Sequence, residues 1–258
     1  MVVPDDVIKA ALRGEIDILR SWLDKGGDPN ESFLFNHRWL IEYYGHEAAI
    51  DVEEHSHCSL LICSLCSSPH HRGDRSDAVR LLLSRGANPN LGVEEMLPLT
   101  QCEFPDEAIV LIDGGADVNG HDGIGNQLLH YVGFRSSPLA LAKVLVRRGA
   151  DLSATGREGV DAEQINRLRG NIYLAKFLRD VRLAGGWKPY ARAPRTELVR
   201  LRSLCARGRA SPPPEPILER LFGAPASPTK AKAARVARPL PNEVFWHVLS
   251  YWRTSRDD

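Results

Sequence analysis

The amino-acid sequence predicts an all-α protein built as a solenoid, in which about five pairs of short helices stack side by side. One turn motif occurs four times, as GGDPN, GANPN, GADVN and GADLS, beginning at Gly26, Gly86, Gly115 and Gly149. Each copy follows an apolar segment of helical character: ILRSWLDK, AVRLLLSR, AIVLIDG and LAKVLVRR. A single helix pair cannot bury its apolar face alone, so repetition of such a unit is typical of a solenoid.

The second copy, SDAVRLLLSRGANPN over residues 76–90, shows how each unit is expected to form. Val79, Leu82 and Leu83 are spaced by three and four residues, which places them on one face of a helix. Gly86 is expected to end this helix in the left-handed conformation, because glycine has no Cβ to oppose it. The residues that follow, Ala-Asn-Pro-Asn, are turn formers.

These units resemble the ankyrin repeat, whose pattern is roughly TPLHxAAxxGxxEIVxxLLxxGADxN. A fifth unit, GVDAEQINRLRGNIYLAKFL, contains both helices but lacks the closing turn, as expected of a C-terminal cap. The resemblance implies an ankyrin-repeat domain over residues 1–185 that binds a protein on its concave and finger face. The matching segments are residues 10–30, 58–90, 97–119, 125–153 and 159–178.

The first interval between turns departs from this pattern. Gly26 and Gly86 are 60 residues apart, against an expected period of about 33 residues, which implies an insertion over residues 31–57. The insertion contains six carboxylates and a single arginine, and five aromatic residues. It is expected to enlarge the first finger, where its rings either cover the neighbouring core or contact a basic, apolar partner. The expected partner-binding residues are Trp39, Tyr43 and Tyr44.

The charge is unevenly distributed although the formal net charge is zero. Residues 186–239 carry twelve Lys/Arg against three Asp/Glu, a charge of +9, and residues 240–258 carry −1, so residues 1–185 carry −8. The zero total argues against nucleic-acid binding by the whole molecule. The sequence shows no apolar run long enough for a membrane span and no signal peptide, and its five cysteines are odd in number. We therefore expect an intracellular protein, cytoplasmic or nuclear, with reduced thiols.

The cysteines and histidines between residues 55 and 71 offer a second class of function. Histidine and cysteine are common zinc ligands, and this stretch has one Cys-x-x-Cys pair. The candidate ligands are His57, Cys63, Cys66 and His70. Cys63, however, aligns with a small buried position of the repeat, and no second cysteine pair follows at finger spacing. The sequence favours structural cysteines, with no metal, and zinc binding is the alternative.

No enzyme motif is evident in the sequence. The chain lacks a GxSxG elbow, a phosphate-binding loop and the kinase motifs. His130, in NQLLHYV, occupies the histidine of the TPLH motif, and the resemblance implies a brace that hydrogen-bonds backbone at the tight turn. We therefore expect neither catalysis nor a cofactor.

The composition changes after Gly186. A basic amphipathic helix is predicted from Thr196 to about Arg207, with Leu198, Leu201, Leu204 and Cys205 on one side. A linker rich in Pro, Ala, Ser and Lys covers residues 223–238, which leaves residues 240–258 as a separate C-terminal segment. Its amphipathic helix is predicted over residues 242–252.

This tail resembles two adaptor motifs of ubiquitin ligases. Leu201 and Cys205 fit the Leu-x-x-x-Cys pattern of a SOCS box (suppressor-of-cytokine-signalling box), and Leu240 and Pro241 fit part of its Leu-Pro-Leu-Pro segment. This resemblance implies an elongin/cullin-type adaptor as partner, and a role for the chain as the substrate-recognition subunit of the ligase. LPNEVFWHVLSYW also resembles the opening of an F-box, but only six residues follow Trp252. The remaining alternative is a plain ankyrin scaffold whose last helix only caps the solenoid.

Overall fold

A computed structural model describes residues 3–36, 55–65, 75–93 and 96–207 of this chain. The chain divides into two compact units, Met1–Asp180 and Val181–Asp258. It is mostly helical, which confirms the all-α class, whereas the predicted domain limits at residues 185 and 239 stay predictions. Across the described ranges, no helix combines the length and the apolar character needed to cross a membrane.

The helices of the first unit form two adjacent rows. One row consists of α1, α3, the 3₁₀ turn Pro98–Gln101, α6 and α8, in which each member contacts the next. The other row consists of α2, α4, α5 and α7, again in sequential contact. The bounds are α1 Asp5–Arg13, α2 Ile16–Asp24, α3 Leu60–Leu65, α4 Arg75–Ser84, α5 Pro105–Asp113, α6 Leu128–Tyr131, α7 Pro138–Arg147 and α8 Ala162–Leu168. A further helix, α9 Ile172–Leu183, begins in the first unit and ends in the second.

The core lies along these rows, where the predicted apolar stripes are largely buried. Val79 and Leu82 of α4 are fully buried, as predicted, whereas Leu83 is half-buried. In α2, Leu19, Trp22 and Leu23 are buried. Ile18, an apolar residue of the same helix, is exposed. Ile18 lies about 100° around the helix from Leu19, which places it outside the face formed by Leu19, Trp22 and Leu23.

The third predicted helix pair has a shorter first member than expected. Residues 98–101 form a 3₁₀ turn instead of an α-helix, and α5 already begins at Pro105. Phe104 has an extended conformation because a residue before proline is driven out of the helical region. Too few residues therefore remain in this 29-residue interval for two full α-helices.

The four turn glycines adopt the left-handed conformation predicted for them. Gly26, Gly86, Gly115 and Gly149 have φ between 88° and 97°. Each turn is closed locally by a backbone bond that returns to the preceding helix, as from the N–H of Ala87 to the carbonyl of Leu82 at 3.0 Å. These bonds pair the carbonyls that an ending helix leaves open.

An asparagine at the end of each of the first three turns connects that turn to the next. Asn90 Nδ2 donates to the Gly115 carbonyl at 2.9 Å, and Asn90 Oδ1 accepts from the Asp117 N–H at 2.8 Å. Asn30 makes the same two bonds to residues 86 and 88, and Asn119 makes them to residues 149 and 151. We call this series the asparagine ladder. Its last turn has Ser153 in place of asparagine, and the Ser153 hydroxyl bonds within its own turn.

The ends of the predicted insertion pair with each other as a β-hairpin, which the sequence analysis did not anticipate. Strand β1, Ser32–Asn36, runs antiparallel to strand β2, His55–Ser59, with Ser32 opposite Ser59. Phe33 and Cys58 face each other across the strands and are both buried. Leu34, the next residue after the buried Phe33, is 59% exposed, because successive side chains of a strand point to opposite faces.

The described part of the second unit contains helix α10, Trp187–Ala206. We predicted this helix to begin at Thr196, and that prediction was wrong. Pro189 occupies the first turn, where the missing N–H is tolerated, and Pro194 lies inside the helix. The helix continues through both prolines.

Candidate protein-binding surface

A cavity of about 220 Å³ lies between the fourth and fifth helix pairs of the first unit. Three apolar side chains form part of its wall: Ile124, Val160 and Ile165. The polar residues lie on the turns before α6 and α8, on α6, and directly after α8. They are Asn126, His130, Tyr131, Arg157, Glu158 and Arg169.

One polar wall is fixed by a hydrogen-bond network centred on Tyr131. Its hydroxyl donates to Asp122 Oδ2 at 2.6 Å and accepts from Asn126 Nδ2 at 3.0 Å. Asp122 Oδ1 accepts from the N–H groups of Ile124 and Asn126, at 3.2 and 2.8 Å, and so holds the turn before α6. Burial, followed by the bond to Asp122, raises the pKa of Tyr131, so the phenol stays protonated at neutral pH.

His130 connects this wall to the next turn. Its Nδ1 accepts from the Gln127 N–H at 3.2 Å, and Nε2 lies 3.2 Å from the Ala154 carbonyl. A carbonyl can only accept, so Nε2 carries the proton and the ring is neutral. Burial is the main cause that lowers the pKa of His130. The predicted backbone brace is therefore confirmed, and both ring nitrogens are used for structure.

The opposite wall comes close because Gly156 has no side chain. A Cβ at this position would lie 2.1 Å from Asn126 Oδ1, far inside van der Waals contact. Asn126 Oδ1 also accepts from the Arg157 N–H at 3.0 Å. The two turns that line the cavity are therefore held together by backbone-to-side-chain contact.

Two guanidinium groups give the cavity its positive charge. Neither Arg157 nor Arg169 makes an ion pair within the described parts of the chain. Arg169 instead stacks on Phe134, with its guanidinium carbon 3.8 Å from the ring centroid. With Glu158 as the lining acid and His130 neutral, the lining carries a net charge of about +1.

This arrangement is suited to binding. An arginine that makes no ion pair can donate hydrogen bonds to a carboxylate or a carbonyl group of a partner. The apolar wall can cover an aliphatic or aromatic side chain of that partner. Tyr131 is a hydrogen-bond donor with a raised pKa, and His130 is occupied on both nitrogens, so neither is arranged as a general base.

The structure leaves most of the predicted partner-binding and adaptor-binding residues undescribed. Trp39, Tyr43 and Tyr44 lie outside the described residues, as do Leu240 and Pro241. Leu201 lies on α10 and is half-buried. Cys205 is one turn further along α10, and its side chain is outside the described set.

The residues of the predicted zinc alternative are only partly described. His57 is exposed on β2, whereas Cys63 is buried in α3 with its sulfur 3.3 Å from that of Cys58. Cys66 and His70 lie outside the described residues. Within the described ranges, no three His, Cys, Asp or Glu residues are arranged to hold a metal ion. Zinc binding stays a prediction that a metal analysis of purified protein can test.

The cavity residues could not be recognised from the sequence. Most of them come from two turns that are about 30 residues apart in the sequence. The repeat period shows which residues occupy equivalent positions in different repeats, but it does not show which residues contact each other. The sequence feature that could have indicated the cavity is the difference between two equivalent turns, DGIGN before α6 and TGREGVD before α8. The second contains Arg157 and Glu158 at positions that the first fills with uncharged residues.

Models of known protein families give no match to this chain, and no curated protein matches it.

Proposed function

We propose that this chain is an ankyrin-repeat protein that binds another protein without catalysing a reaction. The cavity between the fourth and fifth pairs, with Arg157 and Arg169 at its polar wall, is the proposed contact site in the described part. A partner segment with an acidic group next to an apolar side chain matches this lining. Such a protein is expected to work inside the cell, in keeping with the odd number of cysteines in its sequence.

The main support for this proposal is the pair of arginines at the cavity. The cavity is bounded by two consecutive repeats, and the two arginines there are not neutralised by a carboxylate of the described chain. Both cations remain exposed to solvent. Charged groups of this kind guide and select partners at protein interfaces.

The repeat assignment has its own support. Left-handed glycines end four helices, the asparagine ladder joins the turns, and His130 braces the turn after its repeat. These features agree with the turn sequence on which the ankyrin resemblance is based. They act between neighbours in sequence order, as expected for a one-dimensional array.

The experiment compares proteins captured from a cell lysate by the full chain and by the variant Arg157→Ala/Arg169→Ala. We expect the variant to lose at least one protein that the unmodified chain retains. Arg20→Ala/Arg80→Ala is the matched control, because it removes two exposed arginines that make only weak pairs within their own helices. Equal capture by all three proteins would contradict the assigned site. Thermal unfolding must show that the first variant stays folded.

A substrate-receptor function is the more specific version of this proposal. Its support is α10, where Leu201 is half-buried and Leu204 is 38% exposed, so the apolar side of the helix is partly open to a partner. In this version the repeats hold the target, and Leu201, Cys205, Leu240 and Pro241 recruit an elongin/cullin-type adaptor. The plain scaffold, with a capping C-terminal helix, is the competing version.

Two comparisons separate these versions. An adaptor retained by the full chain but lost by Leu201→Ala/Cys205→Ala, with an unchanged melting temperature, would support the substrate receptor. Leu198→Ala is the control, because it shortens an apolar side chain of the same helix outside the Leu-x-x-x-Cys pattern. No adaptor in any sample, together with a lower melting temperature for the double variant, would support the scaffold.

A further inference from the structure

The junction between β2 and α3 holds two cysteine sulfurs close together. Cys58 is the fourth residue of β2, and Cys63 is the fourth residue of α3, which follows the strand directly. The two sulfur atoms are 3.3 Å apart. Because a disulfide bond is about 2.05 Å long, these sulfurs need to approach each other by only about 1.2 Å to become bonded. The bend between strand and helix therefore already aligns the two side chains for a disulfide.

Both side chains are held in place by their surroundings. The Cys58 S–H donates to the Ser59 carbonyl at 3.6 Å, and the buried Phe33 lies opposite Cys58 across the strands. Cys63 belongs to a helix whose six residues are all buried. Side chains in a close-packed interior occupy few rotamers. The contact between the sulfurs is therefore a property of the fold at this junction, and not an encounter of two loose side chains.

Burial limits the kind of oxidant that can reach these sulfurs. Cys58 is 5% exposed and Cys63 is 1% exposed, so Cys58 is the sulfur that a reagent meets first. Exchange with a peptide disulfide such as oxidised glutathione passes through a mixed disulfide, which needs room for the whole peptide. Hydrogen peroxide is little larger than a water molecule. A sulfenic acid formed on Cys58 would have the Cys63 sulfur beside it, and a neighbouring thiol converts a sulfenic acid to a disulfide.

We propose that Cys58 and Cys63 form an oxidation site, at which hydrogen peroxide joins the two thiols in a disulfide. In the first step the Cys58 thiolate attacks one oxygen, the O–O bond breaks, and the departing hydroxide takes up the thiol proton as water. In the second step the Cys63 sulfur attacks the sulfenic acid on Cys58 and loses its proton. The S–O bond breaks, and the hydroxide leaves as a second water. The two thiols lose two electrons, and one peroxide is reduced to two waters.

The disulfide would change two properties of the first unit. It ties the β1–β2 hairpin covalently to the second helix pair, since β2 contacts α3 at this point. It also excludes the zinc alternative that includes Cys63, because a sulfur in a disulfide has no thiolate to offer a metal ion. The two chemical states of Cys63 therefore exclude each other, and a test of the disulfide must begin with metal-free protein.

The test uses the full chain with Cys66→Ser, after treatment with a chelator. Trypsin releases residues 39–72 as one peptide, and in this variant its two cysteines are Cys58 and Cys63. The folded protein is treated with hydrogen peroxide, unfolded and labelled with iodoacetamide. We expect two labelled thiols in this peptide before oxidation and none after it, with a loss of two hydrogen atoms from its mass. Dithiothreitol should restore both thiols.

Two further variants, each made in the Cys66→Ser chain, test the pairing. With Cys58→Ser, Cys63 should keep its label under the same conditions, because its buried thiol no longer has an oxidised neighbour. Cys102→Ser is the matched control, because it removes another buried thiol, and the peptide should still lose both labels. Circular dichroism checks that each variant is folded. If Cys58→Ser does not fold, the label and mass changes in the Cys66→Ser chain decide the question.

Three results would overturn the proposal. The first is that both thiols keep their labels after peroxide treatment. The second is a gain of oxygen atoms that dithiothreitol does not reverse. The third is a bond from either cysteine to Cys102 or Cys205. These results leave the proposed function untouched, because neither Cys58 nor Cys63 lines the cavity, and protein capture through Arg157 is measured separately.

Discussion

Single residues with unusual backbone or buried ionisable groups determine several properties of this chain. Gly86 and His130 are the clearest cases, because each is constrained by observed geometry. Gly86 has φ of 89°, and His130 is buried with both ring nitrogens bonded to backbone. Variants of Gly86 should therefore test the effect of backbone conformation on stability, and variants of His130 should test the effect of protonation.

Gly86→Ala should lower the free energy of unfolding by about 1–2 kcal/mol. A Cβ at this position would meet no atom within 4 Å, so the cost comes from the left-handed backbone alone. Gly86→Asn should recover part of the loss, because asparagine tolerates this conformation better than alanine. Urea unfolding followed by circular dichroism measures all three proteins. Equal stability of Gly86→Ala and the unmodified chain would contradict the strain.

His130 should make the fold less stable in mild acid. Its pKa is lowered in the folded state, and protonation of Nδ1 would break the bond from the Gln127 N–H. Below about pH 6.5 the unfolded chain gains a proton that the folded chain resists, so the free energy of unfolding falls with pH. The contribution cannot exceed about 1.4 kcal/mol per pH unit for one group.

Urea titrations between about pH 7.5 and pH 5.5 measure this dependence, a range that brackets the ordinary histidine pKa. His130→Gln should reduce the pH dependence, although it also lowers stability at all pH values. The exposed His57 on β2 provides the control, and His57→Gln should keep the dependence of the unmodified chain. A slope that is unchanged in His130→Gln would show that other groups cause the acid sensitivity.

At the scale of the structural element, the asparagine ladder joins consecutive turns. Asn90→Ala removes two hydrogen bonds to the next turn and should lower the free energy of unfolding by about 1–2 kcal/mol. The Asp117 amide should also exchange its hydrogen faster, because Asn90 Oδ1 is its acceptor. Asn88→Ala is the comparison, since Asn88 Oδ1 bonds only within its own turn. Equal protection of the Asp117 amide in both variants would contradict the ladder.

The elements that could be predicted are those whose conformation is determined by a few residues adjacent in the sequence. Left-handed glycine is required where a helix turns back, so the turns at Gly26 and Gly86 were recognisable from five residues each. The β1–β2 hairpin was missed because its strands are 18 residues apart in sequence and no local pattern pairs them. The early start of α10 was missed because the apolar side chains that indicated the helix, Leu198, Leu201, Leu204 and Cys205, all lie in its second half.

The candidate site was less predictable than the fold. Its walls come from two turns, and Gly156 matters through the side chain it lacks. The close approach of Asn126 to Gly156 depends on the separation between two repeats. Sequence periodicity indicates that repeats exist, but not which side chains meet between them.

At the scale of the whole molecule, the first unit should fold without the tail. Its buried core is formed by its own two rows of helices. We therefore predict that a chain ending at Gly186 retains cooperative unfolding, with a melting temperature within a few degrees of the full chain. Calorimetry and circular dichroism measure this. A large loss of melting temperature would assign a structural role to the tail and favour the plain scaffold.

The asparagine ladder also implies an order of assembly during folding. Asn90 and Asn119 bond to residues 25 and 30 positions away, whereas Asn30 bonds to a residue 56 positions away. Closing the longer loop costs about 0.7 kcal/mol more chain entropy than closing the shortest. The repeats from α4 onward should therefore nucleate first, and the amino-terminal pair should join last and detach first. In native-state hydrogen exchange, the amides of α1 and α2 would then report the earliest opening of the chain.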